Sequence, residues 1–187
     1  VTAQQARASS VLPFAALALA AALAVIGCGD DTTGVAADLP DEPNAEVVRV
    51  VDGDTIVVET GGIEESVRLI GIDTPETVKP GSPVECYGKA ASAKTEELLP
   101  EGTAVLLERD VEARDRYDRL LAYVYRVSDA TFVNLELVEG GYALPATYPP
   151  NVAHTEDFLA ASREARAEGR GLWTECEGEI DPDDIEG

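Results

Sequence analysis

The chain has 187 residues, 45 % of them hydrophobic, with 36 acidic against 14 basic side chains and a formal net charge of −22. That length suits one domain with its own core plus peripheral segments, and the apolar fraction excludes a disordered chain. The acidity excludes a general polyanion binder, because sequence-independent affinity for nucleic acid is built from many Lys and Arg contacts to phosphate.

The chain begins with an address. Residues 11–27 (VLPFAALALAAALAVIG) form an uncharged run of 17 residues, shorter than the roughly 20 a membrane span needs and suited to the apolar core of a signal peptide. It ends in Val25-Ile26-Gly27-Cys28, which resembles a bacterial lipobox, where the Cys is acylated and becomes the new N-terminus. Residues 1–27 are therefore expected to be a lipoprotein signal peptide. Cys28 is the expected lipidation site, anchoring the protein to the membrane outside the cytoplasm. Residues 28–45 are polar, acidic and interrupted by Pro and Gly, and read as a flexible tether.

The globular part opens with two β-branched runs, 46–51 (EVVRVV) and 55–59 (TIVVE), joined by Asp52-Gly53-Asp54, a hairpin or bulge signal. After Gly61-Gly62, the segment 66–72 (SVRLIGI) reads as a third strand, with Val67, Leu69 and Gly71 alternating with Arg68, Ile70 and Ile72. A helix is expected over 85–99, stopped by Pro100-Glu101-Gly102, followed by strands at 103–108 and 120–127. A short helix is expected over 132–139. The Pro-containing stretch 143–153 reads as loop, and a last helix over 155–168 has Gly169 near its C-cap and Trp173 beyond. Three strands, a helix, two strands and two helices make an α+β domain on a five-stranded OB-fold barrel. Cys86 and Cys176 predict one disulfide in an exported protein, tying the first helix to the C-terminal segment. Two such Cys and one His leave zinc short of ligands.

Two polar clusters sit at strand ends: Asp52-Gly53-Asp54-Thr55 and Asp73-Thr74-Pro75-Glu76, with Arg68 on the strand between them. A meander of the first three strands brings both Asp-containing turns to one barrel end, where several oxygens can meet as a hard cation such as calcium requires. Singly, each Asp is ordinary turn chemistry. The stretch 109–119 concentrates Arg in an otherwise acidic chain and reads either as a solvated loop with weak ion pairs or as a phosphate clamp.

These segments resemble the thermonuclease, or staphylococcal nuclease, family. The matches are VVRVVDGDTIVV, VRLIGIDTPET, ECYGKAAS, DRYDRLLAYVY, VNLELVEGGYA, YPPNVAH and GLW, in that order, from about Glu46 to Thr174. The resemblance places a nuclease-like domain at 46–176, with an acidic tail at 177–187. It implies calcium (Ca2+) bound by Asp54, Asp73 and the Thr74 carbonyl, Glu76 as general base, and Arg68 and Arg119 on the phosphate. Tyr117 is implied beside the phosphate and Tyr148 near the nucleotide. The implied activity is endonucleolytic hydrolysis of DNA and RNA by a monomer. His154, in the YPPNVAH segment, reads as structural. Two positions depart from the family pattern. Asp118 stands where Gly is usual, so its charge beside Arg119 is expected to weaken phosphate binding. Thr147 stands where Tyr often sits, in a loop one residue shorter, which weakens base stacking. The competing expectation is a binding module, since OB barrels hold single strands or protein tails without chemistry. A stacking binder, however, needs a basic, aromatic groove, and this chain is 5 % aromatic and acidic. A calcium-stabilised envelope lipoprotein is the third expectation.

Overall fold

The computed structural model describes residues 42–77 and 84–176. The expected signal peptide, Cys28, almost all of the tether and the acidic tail lie outside the described residues.

Strand β1 (Ala45–Asp52) pairs antiparallel with β2 (Thr55–Thr60), and β2 with β3 (Ile63–Leu69). Register shifts between Val47 and Arg49 and between Val50 and Asp52 mark irregularities in β1, and these bend it strongly enough to serve two neighbours. Its other edge meets β5 (Ala104–Glu108), which pairs with β6 (Leu120–Arg126). Parallel pairing of β3 with β6, Val67 opposite Leu120 and Leu69 opposite Ala122, closes the ring. The result is the five-stranded barrel expected of an OB fold. Its interior holds Val47, Ile56, Val58, Val67, Leu69, Val105 and Val124, all essentially buried. The β-branched residues that favour a pleated surface are the same ones that fill the barrel.

Helix α1 (Gly88–Leu98) follows β4 (Gly71–Asp73) and packs on β1. Beyond β6, the two-residue β7 (Thr131–Phe132) leads into α2 (Val133–Glu139), then β8 (Leu144–Ala146), α3 (Thr155–Ala167) and the short α4 (Leu172–Glu175). Cys86 and Cys176 are joined by a disulfide, with Cα atoms 5.9 Å apart.

Four expectations are corrected. The single strand over 66–72 is two strands. Ile70 leaves the ladder, Gly71 takes φ +79°, and Ile70 and Ile72 are both buried, so the alternation ends at Leu69. The break lets β4 turn away and pair with β8, Ile72 opposite Pro145. The same pairing overturns the all-loop reading of 143–153, because Pro145 sits in a two-stranded sheet whose ladder does not need its missing N–H. Helix α1 begins at Gly88 rather than 85, since Tyr87 before it is left-handed at φ 65°. The chain at 131–132 is strand before it is helix, because Phe132 pairs with Tyr125.

Gly71 is the tightest point of this arrangement, since a Cβ there would run into the ring of Phe158 from α3. Gly71→Ala therefore meets both a left-handed backbone and a filled site, and is expected to cost about 3 kcal/mol in urea unfolding. A loss below about 1 kcal/mol would show that α3 yields instead.

Candidate active site

Strand register assembles the site. In the β2–β3 ladder Thr55 lies opposite Arg68, so Asp54 ends beside the Arg68 strand. The Leu69 amide donates to the Asp54 carbonyl at 2.8 Å, fixing that end. In the β3–β6 ladder Arg68 lies opposite Leu121, which puts Arg119, just before β6, at the same barrel mouth. Asp73, Thr74 and Glu76 arrive from the end of β4. These residues line one cleft of about 420 Å³ together with Asp52 and Glu85. Arg68 and Arg119 also line a neighbouring cleft of about 500 Å³, with Arg116, Tyr117, Tyr148 and Asn151. All eight residues read as catalytic, metal-binding or substrate-binding therefore border these two adjoining clefts.

Each charge has defined partners. Asp54, 7 % exposed, accepts from the Thr74 amide and hydroxyl at 3.1 Å and from Thr55 Oγ1 at 3.0 Å. Arg68 bridges Asp54 at 3.1 Å and Asp73 at 2.7 Å, and donates to the carbonyls of Leu69 and Ile72. Arg119 is held by Asp115, whose Oδ2 accepts from Nε and Nη2, both at 2.7 Å. Burial works against the Asp115 charge. Hydrogen bonds from the Arg119 amide and guanidinium and the Tyr117 amide nonetheless hold its carboxyl below the usual range. Tyr117 and Tyr148 are largely exposed. Arg116 lies over the Tyr117 ring at 4.7 Å.

Sequence reasoning missed four supports. Asp52 is buried and its Oδ1 accepts from the Gly53 amide, Thr77 Oγ1 and Ser92 Oγ, which ties the first turn, the Glu76 loop and α1 together. Desolvation raises its pKa, but these bonds, together with a side-chain hydrogen bond to Glu76, win and the net direction is down. Asn151 exchanges two hydrogen bonds with the Glu112 backbone and so holds the loop bearing Tyr148. Asp115 and Glu85 complete the set. Of these, Asp52, within the first acidic turn, and Asp115, four residues before Arg119, carried a local signal.

The loop 109–119 does not act as one clamp. Arg114 makes a two-pronged pair with Glu65 of β3 at 2.8 and 3.1 Å and faces neither cleft. The Asp118 expectation is also corrected. Asp118 takes the left-handed conformation at φ 66°, but its carboxylate is 89 % exposed and nearest Arg114 at 3.6 Å, while Arg119 is paired with Asp115. Solvent screens a charge so placed.

The 420 Å³ cleft is lined by five carboxylates, Asp52, Asp54, Asp73, Glu76 and Glu85, and two guanidiniums. The Asp73 carboxyl is pushed up to about 6 by desolvation, with repulsion from Asp54, Glu85 and Glu76, against the pull of Arg68. Its side chain keeps 61 % of its surface open, so repulsion is the firmer cause of that direction. Among the described residues no three Asp, Glu, His or Cys side chains converge tightly as a metal cage. The donors available, two carboxylates and a backbone carbonyl, fit a hard cation that keeps several waters.

The family model for staphylococcal nuclease homologues matches residues 66–175. The thermonuclease of Staphylococcus intermedius is 46 % identical over 127 residues, covering 68 % of this chain and 74 % of that protein. The chain belongs to the staphylococcal nuclease family. Its similarity extends to the Staphylococcus hyicus thermonuclease, 41 % identical over 133 residues (71 % of this chain, 77 % of the relative). It extends also to endonuclease YncB of Bacillus subtilis, 39 % identical over 132 residues (70 % and 62 %). Within the staphylococcal nuclease frame, the closed barrel carries the cleft at the end where β2, β3 and β6 meet.

A carboxyl raised above its unfolded value of 3.8 costs stability as pH rises. Between pH 4 and 6 the folded Asp73 retains a proton that the unfolded chain has lost, so the penalty grows through that window and is complete above it. In metal-free solution Asp73→Asn should stabilise the protein at pH 7 by about 1 kcal/mol, the exposure of the group having been allowed for. The gain should vanish by pH 4 in thermal melts; a gain that persists there would assign the effect to packing.

Proposed function

We propose that the chain is a calcium-dependent endonuclease that hydrolyses phosphodiester bonds in DNA and RNA. The observation that carries this reading is the meeting of Arg68 and Arg119 at the boundary between a carboxylate-lined cleft and a cleft bordered by Arg116, Tyr117 and Tyr148. The thermonuclease and endonuclease names of the relatives support it. Five carboxylates facing two arginines repel a phosphodiester, so phosphate can approach only with further positive charge in place. That is the physical case for a divalent cation, which Asp54, Asp73 and the Thr74 carbonyl would hold. When bound, it would neutralise the carboxylates and polarise the phosphoryl group.

The residues themselves divide the remaining work. Glu76 accepts the proton of the attacking water as its oxygen bonds to phosphorus and the bond to the leaving oxygen breaks. Arg68 and Arg119 stabilise the charge that builds on the phosphoryl oxygens. Guanidinium suits this because it stays charged and offers two parallel donors. Arg68 can exchange its exposed partner Asp73 for phosphate while the buried Asp54 keeps it oriented. Tyr117 and Tyr148 offer exposed faces to the nucleotide. Lipidation at Cys28 is proposed from the lipobox alone, with the enzyme acting outside the cytoplasm.

The decisive assay is digestion of single- and double-stranded DNA by the full chain, with calcium and with chelator. Cutting should need calcium and fall at least roughly 100-fold in kcat in Glu76→Gln. Folded protein that never cuts would leave a binding module. Because capture rests on the contacts of Arg68 and Arg119 with phosphate, KM should rise with ionic strength as those contacts weaken; a flat KM would mean that phosphate contacts contribute little to substrate capture. Palmitate labelling in the producing cell should disappear in Cys28→Ser, and retained label would remove the anchor.

A further inference from the structure

The disulfide reaches the proposed base through one residue. Glu85 and Glu76, nine residues apart, are clamped face to face: the Glu76 amide donates to the Glu85 carboxylate at 3.0 Å, and the Glu85 amide donates to the Glu76 carbonyl at 3.0 Å. Gly88 completes the contact. A Cβ there would sit 2.9 Å from the Pro75 carbonyl and 3.1 Å from the Glu76 carbonyl, so the start of α1 presses its bare backbone on this loop. Glu85 itself is exposed, and exposed hydrogen bonds exchange readily with water. Tyr87, two residues on, is held left-handed at φ 65°, a conformation that persists only where surroundings over-determine it.

What over-determines it lies next door. Cys86, between Glu85 and Tyr87, is bonded to Cys176, and the Tyr87 ring stacks on Tyr142 at 5.5 Å. The Cys176 end is firm. Cys176 is buried, the Leu172 amide donates to the Gly141 carbonyl at 2.9 Å, and Gly141 and Gly171 touch backbone to backbone. The bridge therefore ties Glu85 to the segment packed on the end of α2.

We propose that Glu85 is a positioning residue for Glu76, and that the Cys86–Cys176 disulfide keeps it in place, so that turnover depends on the oxidation state of that pair. This rests on the nuclease reading with Glu76 as base. The bonds from Thr74 to Asp54 and from Thr77 to Asp52 do not run through the disulfide, so reduction would loosen the base rather than release it. The dithiol form is then a weak nuclease and the oxidised form the competent one. A protein made in a reducing cytoplasm and exported to an oxidising compartment would gain full activity only after it had left the cell's own nucleic acid behind.

The test uses the full chain in a Cys28→Ser background, saturated with calcium. A dithiol reductant supplies two electrons and two protons, breaking the S–S bond into two thiols as the reductant becomes a disulfide. Reduction followed by thiol blocking, or Cys86→Ser with Cys176→Ser, should lower kcat roughly tenfold with KM within about twofold, at a temperature where circular dichroism shows the protein folded. Glu85→Ala, with the bridge intact, should lose as much, and reducing it should cost less than about twofold more. Glu85→Gln, whose amide oxygen still accepts, should retain most of the rate, separating the hydrogen bond from the charge. Reduced, folded enzyme with unchanged kcat overturns the proposal, as do losses that multiply between reduction and Glu85→Ala. If Glu76→Gln is inactive and reduction is silent, the coupling alone fails. If Glu76→Gln cuts like wild type, the base assignment fails and takes the coupling with it.

Discussion

Arg68 reaches across the barrel mouth to Asp54 and Asp73, its guanidinium steadied by the carbonyls of Leu69 and Ile72, and the placement of the other groups in the cleft depends on that bridge. Two acidic turns do not approach one another unaided. Here they are so close that Gly53 has no room for a Cβ against Thr74, whose oxygen would lie 2.6 Å away. Such packing is tolerable because the buried carboxylates are given donors: Thr55, Thr74 and Arg68 for Asp54, and Gly53, Thr77 and Ser92 for Asp52. A buried charge without such donors would cost several kcal/mol and would part the turns. Of Asp73 and Glu76, Asp73 is the more exposed and pairs with Arg68, while Glu76 is half-buried and shares a side-chain hydrogen bond with Asp52.

Much of this was legible in the sequence, for identifiable reasons. The β-branched runs, the Asp-Gly turn and the helix-stopping Pro and Gly are local signals, and they place the five barrel strands. The meeting of both Asp turns at one barrel end, with Arg68 on the strand between them, followed from the meander. What escaped was non-local. Gly71 is the one local sign that the strand breaks after Leu69, but what makes a glycine necessary there is non-local: the ring of Phe158, far along the chain, fills the space where a Cβ would stand. Pro145 reads as loop until β4 is seen to need a partner. Asp118 is the instructive case, because adjacency in sequence to Arg119 was mistaken for adjacency in space. The Asp118 carboxylate lies in solvent 3.6 Å from Arg114, and the partner of Arg119 is Asp115, four residues earlier.

The net charge of −22 is the largest apparent obstacle to a nucleic-acid substrate, and the geometry answers it by division rather than by cancellation. Exposed charges more than about 10 Å apart are largely screened at ordinary ionic strength. What a phosphate meets is set by the few groups lining the two clefts. On one side of the arginine pair all the charged lining residues are carboxylates, and on the other the lining carries Arg116, Glu112 and Asp115 among aromatic and apolar groups. A polyanion is repelled by the first side and tolerated by the second. A divalent cation held by the proposed donors would invert that preference only at the point where Arg68 and Arg119 already converge.

The same division explains why support matters as much as the reacting groups. Long-range attraction is absent from so acidic a protein, so it cannot recover a substrate that arrives out of line. Rate then rests on how closely Glu76 and the two arginines are held before the phosphate enters. Each is held by a neighbouring carboxylate: Arg68 by Asp54, which the proposal also gives to the cation, Arg119 by Asp115, and Glu76 by Glu85. Two of those supports are partly or wholly buried and need no further help. Glu85 is exposed, and it is the one whose neighbour in sequence is covalently tied to the far end of the fold. A covalent bridge placed beside the least protected support, rather than across the already well-packed barrel, is where chain entropy threatens the site most.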